Sequence, residues 1–280
     1  MGKYKKLHDC DFKRFANRRF DKGIEILNLA SWSEFHEVVK IFNNNTDYIW
    51  RGQANSGQAN KEWSLKASFD REFPNDKERD AKLREILEGF KLRLYDLPNK
   101  QSLSDDEIWA IGQHYALPTP FLDWTESPYI AAYFAFYKNE PAGHRAIYAL
   151  NKAVKRLILK KIKKPSREVL SREPFVEFID FSGSNFDSMQ NKRLKSQKGK
   201  FTKALNGIDI GENVRRLYEL DYNLNEVLLA EILIPEEFQG DCLRFLKSKR
   251  ITHGILFPDY QGVVDICEIE LPVLKKRREK

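Results

Sequence analysis

The stretch Tyr48-Ile49-Trp50-Arg51-Gly52-Gln53 sets an arginine, a glycine and an amide directly behind an aromatic and β-branched run. Such a run reads as a short buried strand with Arg51 at its C-terminal end. A guanidinium delivered there either pairs with a buried carboxylate or serves a ligand, and its planar fork favours bidentate contact with a phosphate or a ribose. Gly52 then reads as a place where a ligand approaches the backbone, with Gln53 beside it.

Upstream of this strand, Ser31-x-x-Glu34 is a capping box, and Trp32, Phe35, Val38, Val39 and Phe42 follow at helical spacing up to Asn43-Asn44-Asn45. Downstream, the polar stretch Ala54 to Lys61 reads as a loop, and from Asp76 the residues Leu83, Ile86, Leu87, Phe90 and Leu94 predict a helix that stops near Pro98. Ser104-x-x-Glu107 caps a further helix that must end by Pro118, after which Leu122 and Trp124 suggest a short extended piece. Ser127 followed by Pro128 is a helix start, a ready site for an anion. Tyr129 to Tyr137 is apolar on nearly every side, so that helix should be central and buried.

Strands are predicted at Ala146 to Leu150, Phe175 to Phe181, Val227 to Ile234, Ile255 to Phe257 and Val263 to Leu271, with helices at Ala153 to Ile162 and Pro235 to Lys249. The mixture predicts one α/β (α+β) domain with helices flanking a sheet. Alternation along Val227 to Ile234 puts Val227, Leu229, Glu231 and Leu233 on one face, a carboxylate among apolar neighbours.

The 280 residues are 41% hydrophobic and 12% aromatic, enough for a real core, while a mean hydropathy of −0.59 describes a heavily charged surface. Three scattered cysteines form no CxxC pair and fit a reducing compartment, so the cytoplasm is expected. The first 20 residues contain no apolar run that reads as a signal or a membrane anchor, and no membrane association is expected. Basic residues outnumber acidic ones by 48 to 41 and gather at Lys152 to Lys164, Lys192 to Lys203 and Lys275 to Lys280, which suits phosphates of a nucleic acid or dinucleotide as well as a solvated surface.

The densest polar set is Gln113-His114-Tyr115-Ala116-Leu117-Pro118-Thr119-Pro120-Phe121-Leu122-Asp123-Trp124-Thr125-Glu126-Ser127-Pro128, inside an otherwise apolar stretch. Buried polar groups must be paired, so this is either a ligand site or a hydrogen-bonded network that orients the helix after it, with Asp123 paired to His114 or to a backbone donor. His114, His144 and His253 lack metal-ligand spacing, so no metal is expected, and neither a phosphate-binding glycine loop nor a nucleophile elbow is present. Cys242 and Cys267 lie in apolar patterns and read as inert core thiols.

These stretches resemble the FRG domain family. Trp50 stands for the Phe of its Phe-Arg-Gly motif, and Gln113, His114, Pro118, Thr119, Leu122, Asp123, Trp124, Thr125, Ser127, Pro128, Ala132 and Phe134 follow its second signature in order. Ala116 departs from a usual Gly and Pro120 from a usual Arg. Arg193 to Thr202 and Gly254 to Gly262 look like its later stretches, so the resemblance implies an FRG-like domain over 31–272, between a basic N-terminal extension, 1–30, and a basic tail, 273–280.

The order of parts is also similar to that of ADP-ribosyltransferases, which implies a split central sheet and NAD as the cofactor. In that likeness Arg51 holds the NAD phosphate and ribose, Thr125 or Ser127 supports the nicotinamide half, and Glu231 serves the ribose, with Gln197 its rival for that place. Gly52, Gln53, Gln113, His114, Thr119, Asp123, Trp124, Ser127, Arg193 and Gln197 are the candidates for cofactor binding. The resemblance implies an ADP-ribosyltransferase-like enzyme modifying a macromolecule, nucleic acid foremost, in a bacterial toxin or anti-phage setting, with an antitoxin or other regulatory partner. The alternative is a non-catalytic module binding nucleic acid or a nucleotide through the same pocket.

Overall fold

The computed structural model describes residues 6–42, 46–56, 63–74, 77–96, 103–138, 143–162, 166–181, 189–220 and 226–267. The Asn43 to Asn45 stop, the stop at Pro98 and the 273–280 tail lie outside the described residues, as do Gly57 to Lys61 of the expected loop. Eight strands form one mixed, mostly antiparallel sheet: β1 (Arg18–Asp21), β2 (Ile24–Asn28), β3 (Tyr48–Gln53), β4 (Leu122–Thr125), β5 (His144–Asn151), β6 (Val176–Ile179), β7 (Gly199–Ala204) and β8 (Leu229–Pro235). Their order across the sheet is β1-β2-β8-β5-β3-β4-β7-β6, and only β2 and β8 run parallel.

The sheet nearly parts between β3 and β4, where Trp50 opposite Thr125 is the only paired position among the described residues. Beyond it, Arg51-Gly52-Gln53 and Leu122-Asp123-Trp124 diverge. One face of the sheet is covered by α1 (Trp32–Phe42), α5 (Pro128–Phe136) and α10 (Gln239–Ser248), the opposite face by α6 (Ala153–Lys161) and α9 (Ile210–Leu220). Further apolar packing comes from α2 (Ser68–Glu72), α3 (Arg79–Tyr95) and α4 (Asp105–His114) beside the β4–β7 end. Short helices α7 (Arg167–Leu170), α8 (Met189–Ser196) and α11 (His253–Leu256) lie in the connections. Among the described residues no helix is long and apolar enough to cross a membrane.

The Ser104–Glu107 capping box forms, each side chain accepting from the other residue's backbone N–H; at α1 Ser31 accepts from Glu34 N–H, but Glu34 accepts from Ala30 N–H, one residue before the cap. The central helix is α5, and its placement depends on Gly52. A Cβ on Gly52 would stand 1.7 Å from the Ala131 carbonyl oxygen and 2.7 Å from Ala135 N. The glycine therefore admits a helix against the strand, a demand the sequence reading did not include, and it also lines the cavity described below.

Other expectations are corrected too. The supposed N-terminal extension supplies β1 and β2, so a boundary at residue 31 would cut through the sheet. They are joined at Lys22 and Gly23 with φ of 45° and 81°, the geometry of a two-residue hairpin turn. Ile255 belongs to α11 rather than to a strand, and residues 260–267 are helical, capped by Asp259, whose Oδ1 accepts from Gly262 N at 2.9 Å. Short apolar runs do not separate strand from helix, and here the local cap decided. Cys242 is buried as expected, but Cys267 is exposed.

Candidate functional site

The divergence of β3 from β4 opens a cavity of about 350 Å³. Its walls come from β3, α4, β4, the C-terminal end of α5, α8 and β7, together with Trp63. Among the described residues, Arg51, Lys138, Arg193 and Lys200 line it against a single carboxylate, that of Asp123.

Arg51 spans the opening. Its Nε donates to Gln53 Oε1 at 2.9 Å and Nη1 to the Asp123 carbonyl at 2.7 Å, leaving Nη2 without a hydrogen bond to the described residues. Burial lowers the guanidinium pKa to about 10, with Arg71 adding to the burial and Asp123 opposing it; the group stays cationic at neutral pH. Gln53 is held in turn, donating to the Trp63 carbonyl at 2.7 Å.

Asp123 accepts from Gln113 Nε2 at 2.8 Å, not from His114, and Gln113 Oε1 accepts from the buried Thr119 hydroxyl. Successive residues on a helix point about 100° apart. At the end of α4, Gln113 therefore turns to β4 while His114 turns to Asp259, with Nε2 4.0 Å from Oδ2. Burial, helped by Arg193, lowers the His114 pKa against the pull of Asp259, which favours a neutral imidazole.

Arg193 lies 3.7 Å from the same Asp259 oxygen, and its guanidinium carbon is 4.4 Å from the Phe257 ring centroid. Phe257 stacks on His253 at 4.3 Å, and His253 Nδ1 meets the Tyr133 hydroxyl of α5 at 3.1 Å. This stack fixes one cation of the cavity to the central helix. Lys200 is balanced by Asp180 at 2.6 Å and Glu126 at 3.4 Å.

Several predicted residues serve the frame. Thr125 is buried, donates to the Gln197 carbonyl at 2.6 Å and accepts from Ser127 N at 3.2 Å. Gln197 lines the cavity, its amide donating to the Leu256 carbonyl at 3.1 Å. Ser127 caps α5, accepting from Ile130 N at 3.3 Å, and Trp124 donates to Thr202 Oγ1 at 2.7 Å. The expected anion site at the start of α5 is not part of the cavity, to which this segment contributes Phe134, Tyr137 and Lys138 at its far end.

Glu231 stands opposite Tyr148, which stands opposite Arg51, so the three share a face of the sheet across β8, β5 and β3. The carboxylate is buried and accepts from Ser56 Oγ at 2.7 Å and Tyr148 OH at 3.1 Å. It is not among the cavity-lining residues.

Residues 46–144 match the FRG domain family model. Over that stretch the chain is similar to the FRG domain family. No curated protein and no solved structure matches the chain. Arg51, Gln53, Gln113, His114 and Asp123 lie within the matched FRG stretch, whereas Arg193, Gln197 and Lys200 reach the cavity from beyond it. Trp63, Tyr137, Lys138 and Lys200 are lining residues that the sequence reading did not select as site residues. Lys200 had a signal, since it sits in the basic run Lys192 to Lys203; Trp63 and Lys138 carried none.

Proposed function

We propose that this protein is an ADP-ribosyltransferase-like enzyme that uses NAD to modify a macromolecule, with nucleic acid as the acceptor class, in a bacterial toxin or anti-phage setting. The observation that carries the reading is Arg51: a guanidinium set in the parting of the sheet, with Nη2 free of hydrogen bonds to the described residues, inside a cavity to which those residues bring four Lys and Arg side chains and one carboxylate. Arg51 from β3 and Arg193 from α8 suit the two phosphates of a dinucleotide, and Trp63 and Tyr137 offer rings for its bases. The near-parting between β3 and β4 supports the likeness to the split sheet of ADP-ribosyltransferases.

Bound NAD supplies an activated bond between ribose and nicotinamide. Asp123 lines the cavity and would be the carboxylate to oppose positive charge on a ribose held there and to accept the proton of the acceptor. Gln113 holds it through one oxygen at 2.8 Å. Glu231, bonded to Tyr148, lies on the same face of the sheet as Arg51 but outside the cavity lining.

A second reading, a non-catalytic nucleotide- or nucleic-acid-binding module, is favoured by one observation: Thr125 and Glu231, the groups given chemical roles by the resemblance, are both engaged in internal hydrogen bonds. Incubation with NAD labelled in the adenosine half, with separate RNA, DNA and protein fractions, distinguishes the two. Label transfer that is lost in Asp123→Asn supports the enzyme; retention of RNA without transfer selects the binding module.

A further inference from the structure

Three elements distant in sequence meet at one corner of the cavity. Asp259 Oδ2 lies 4.0 Å from His114 Nε2 and 3.7 Å from Arg193 Nη1, which joins the end of α4, the start of the 260–267 helix and α8. Each carries outward groups immediately beyond that junction. Tyr115 follows His114, its ring 4.8 Å from the imidazole, and is 68% exposed; Tyr260 follows Asp259 and is 88% exposed. Lys192 and Lys195 flank Arg193 on α8, Lys198 follows, and all three are exposed without an ion pair among the described residues.

A tyrosine ring left in water forgoes the stabilisation of burial. Two of them, beside unpaired lysines and next to a cationic cavity, make the composition of a base-stacking platform whose cations follow a phosphate backbone. The faces of bases are open to stacking on protein rings in a single strand and closed in a duplex.

We propose that this corner binds single-stranded nucleic acid, with bases stacked on Tyr115 and Tyr260 and phosphates on Lys192, Lys195 and Lys198. The inference names the acceptor of the reading above and rests on that reading for the step after binding, not for binding itself.

Fluorescence anisotropy without NAD tests it, using a labelled oligouridylate of about 12 nucleotides and a duplex of equal length across a salt series. The single strand is expected to bind more tightly than the duplex. Tyr115→Ala and Tyr260→Ala should each weaken it about 5- to 100-fold, and Tyr260→Phe should restore it. Lys192→Gln with Lys195→Gln should lower the slope of log K against log salt by about 1.4. All four positions are exposed at the surface, so unchanged thermal unfolding is expected and checks that the variants fold. Equal affinity for duplex, or alanine variants that bind like the parent, overturns the proposal, as does no oligonucleotide binding at low salt. Binding that persists where no label passes from NAD supports this proposal while sinking the transferase reading. Transfer to protein without oligonucleotide binding sinks this proposal and the nucleic-acid acceptor, and leaves the transferase chemistry standing.

Discussion

Gly52→Ala tests what the glycine of the Trp-Arg-Gly motif is for. The added Cβ would lie 1.7 Å from the Ala131 carbonyl oxygen and 2.7 Å from Ala135 N, both backbone atoms of α5. A carbon–oxygen contact needs roughly 3.3 Å, so the helix must retreat by about 1.5 Å or the strand must buckle. Neither partner is a flexible side chain that can swing aside. Retreat would loosen α5 along a buried face that includes Ile130, Ala131, Tyr133 and Phe136. Overpacking a core costs about 1–3 kcal/mol when side chains can adjust, and two opposed backbones put this case at or above ~3 kcal/mol. In a chain of this size that is a fall in Tm of roughly 6–12 °C.

The assay is thermal and urea unfolding followed by circular dichroism, with Gly89→Ala as control. Gly89 lies inside α3, where a Cβ meets only the mobile Arg93 Nη1 at 3.3 Å, so the control should gain up to ~1 kcal/mol. Should Gly52→Ala unfold within about 2 °C of the parent yet lose nucleotide binding, the glycine serves a ligand and the packing argument is wrong.

Ala116→Gly should stabilise the protein: Ala116 has φ of 61°, left-handed backbone that costs a non-glycine residue about 1–2 kcal/mol, partly offset by the ~0.4–1 kcal/mol that glycine adds to unfolded-chain entropy, and a lower Tm would refute it. Arg51→Met should cost only about 1–2 kcal/mol of stability, because the bonds it loses lie at a cavity wall, while NAD binding measured by calorimetry falls at least tenfold; a collapse of the fold would instead make Arg51 a structural strut. Burial pushes the Glu226 carboxyl up to about 7, the half-exposed Lys6 at 3.2 Å notwithstanding. Because the native state then binds the proton more tightly than an unfolded chain at about 4.3, that contribution is complete below pH ~4.3 and is lost as pH rises through 7. Glu226→Gln should flatten the slope of stability against pH in this window, and an unchanged slope would assign it to another group.

What was legible in the sequence is what is encoded locally. The Ser104–Glu107 capping box, the helix starts behind Ser31 and Ser127-Pro128 and the strand Tyr48-Ile49-Trp50 each depend on residues within a few positions of one another and appear where read, although the strand runs on through Arg51 to Gln53. The hairpin of β1 and β2 was missed because its turn is Lys22-Gly23 rather than an Asn-Gly or Asp-Gly pair, and because Glu25, buried against Arg18 at 2.6 Å, breaks the apolar pattern. The polar cluster was legible as a set but not in its pairings. Whether Asp123 meets Gln113 or His114 depends on a rotation of about 100° around the last turn of α4, which composition does not record.

The cavity depends on something less local still. Arg51 and Arg193 are brought to one space because β4 pairs fully with β7 and at a single position with β3, so the segment just before β7 is carried to the parting of the sheet. Asp259 then holds Arg193 and approaches His114 while capping its own helix, one side chain meeting three demands. Its sequence neighbours looked like strand, and the cap that makes them helix is the same carboxylate. Misreading that local signal hid both the helix and the wall of the site, because here the residue that starts one is the residue that orients the other.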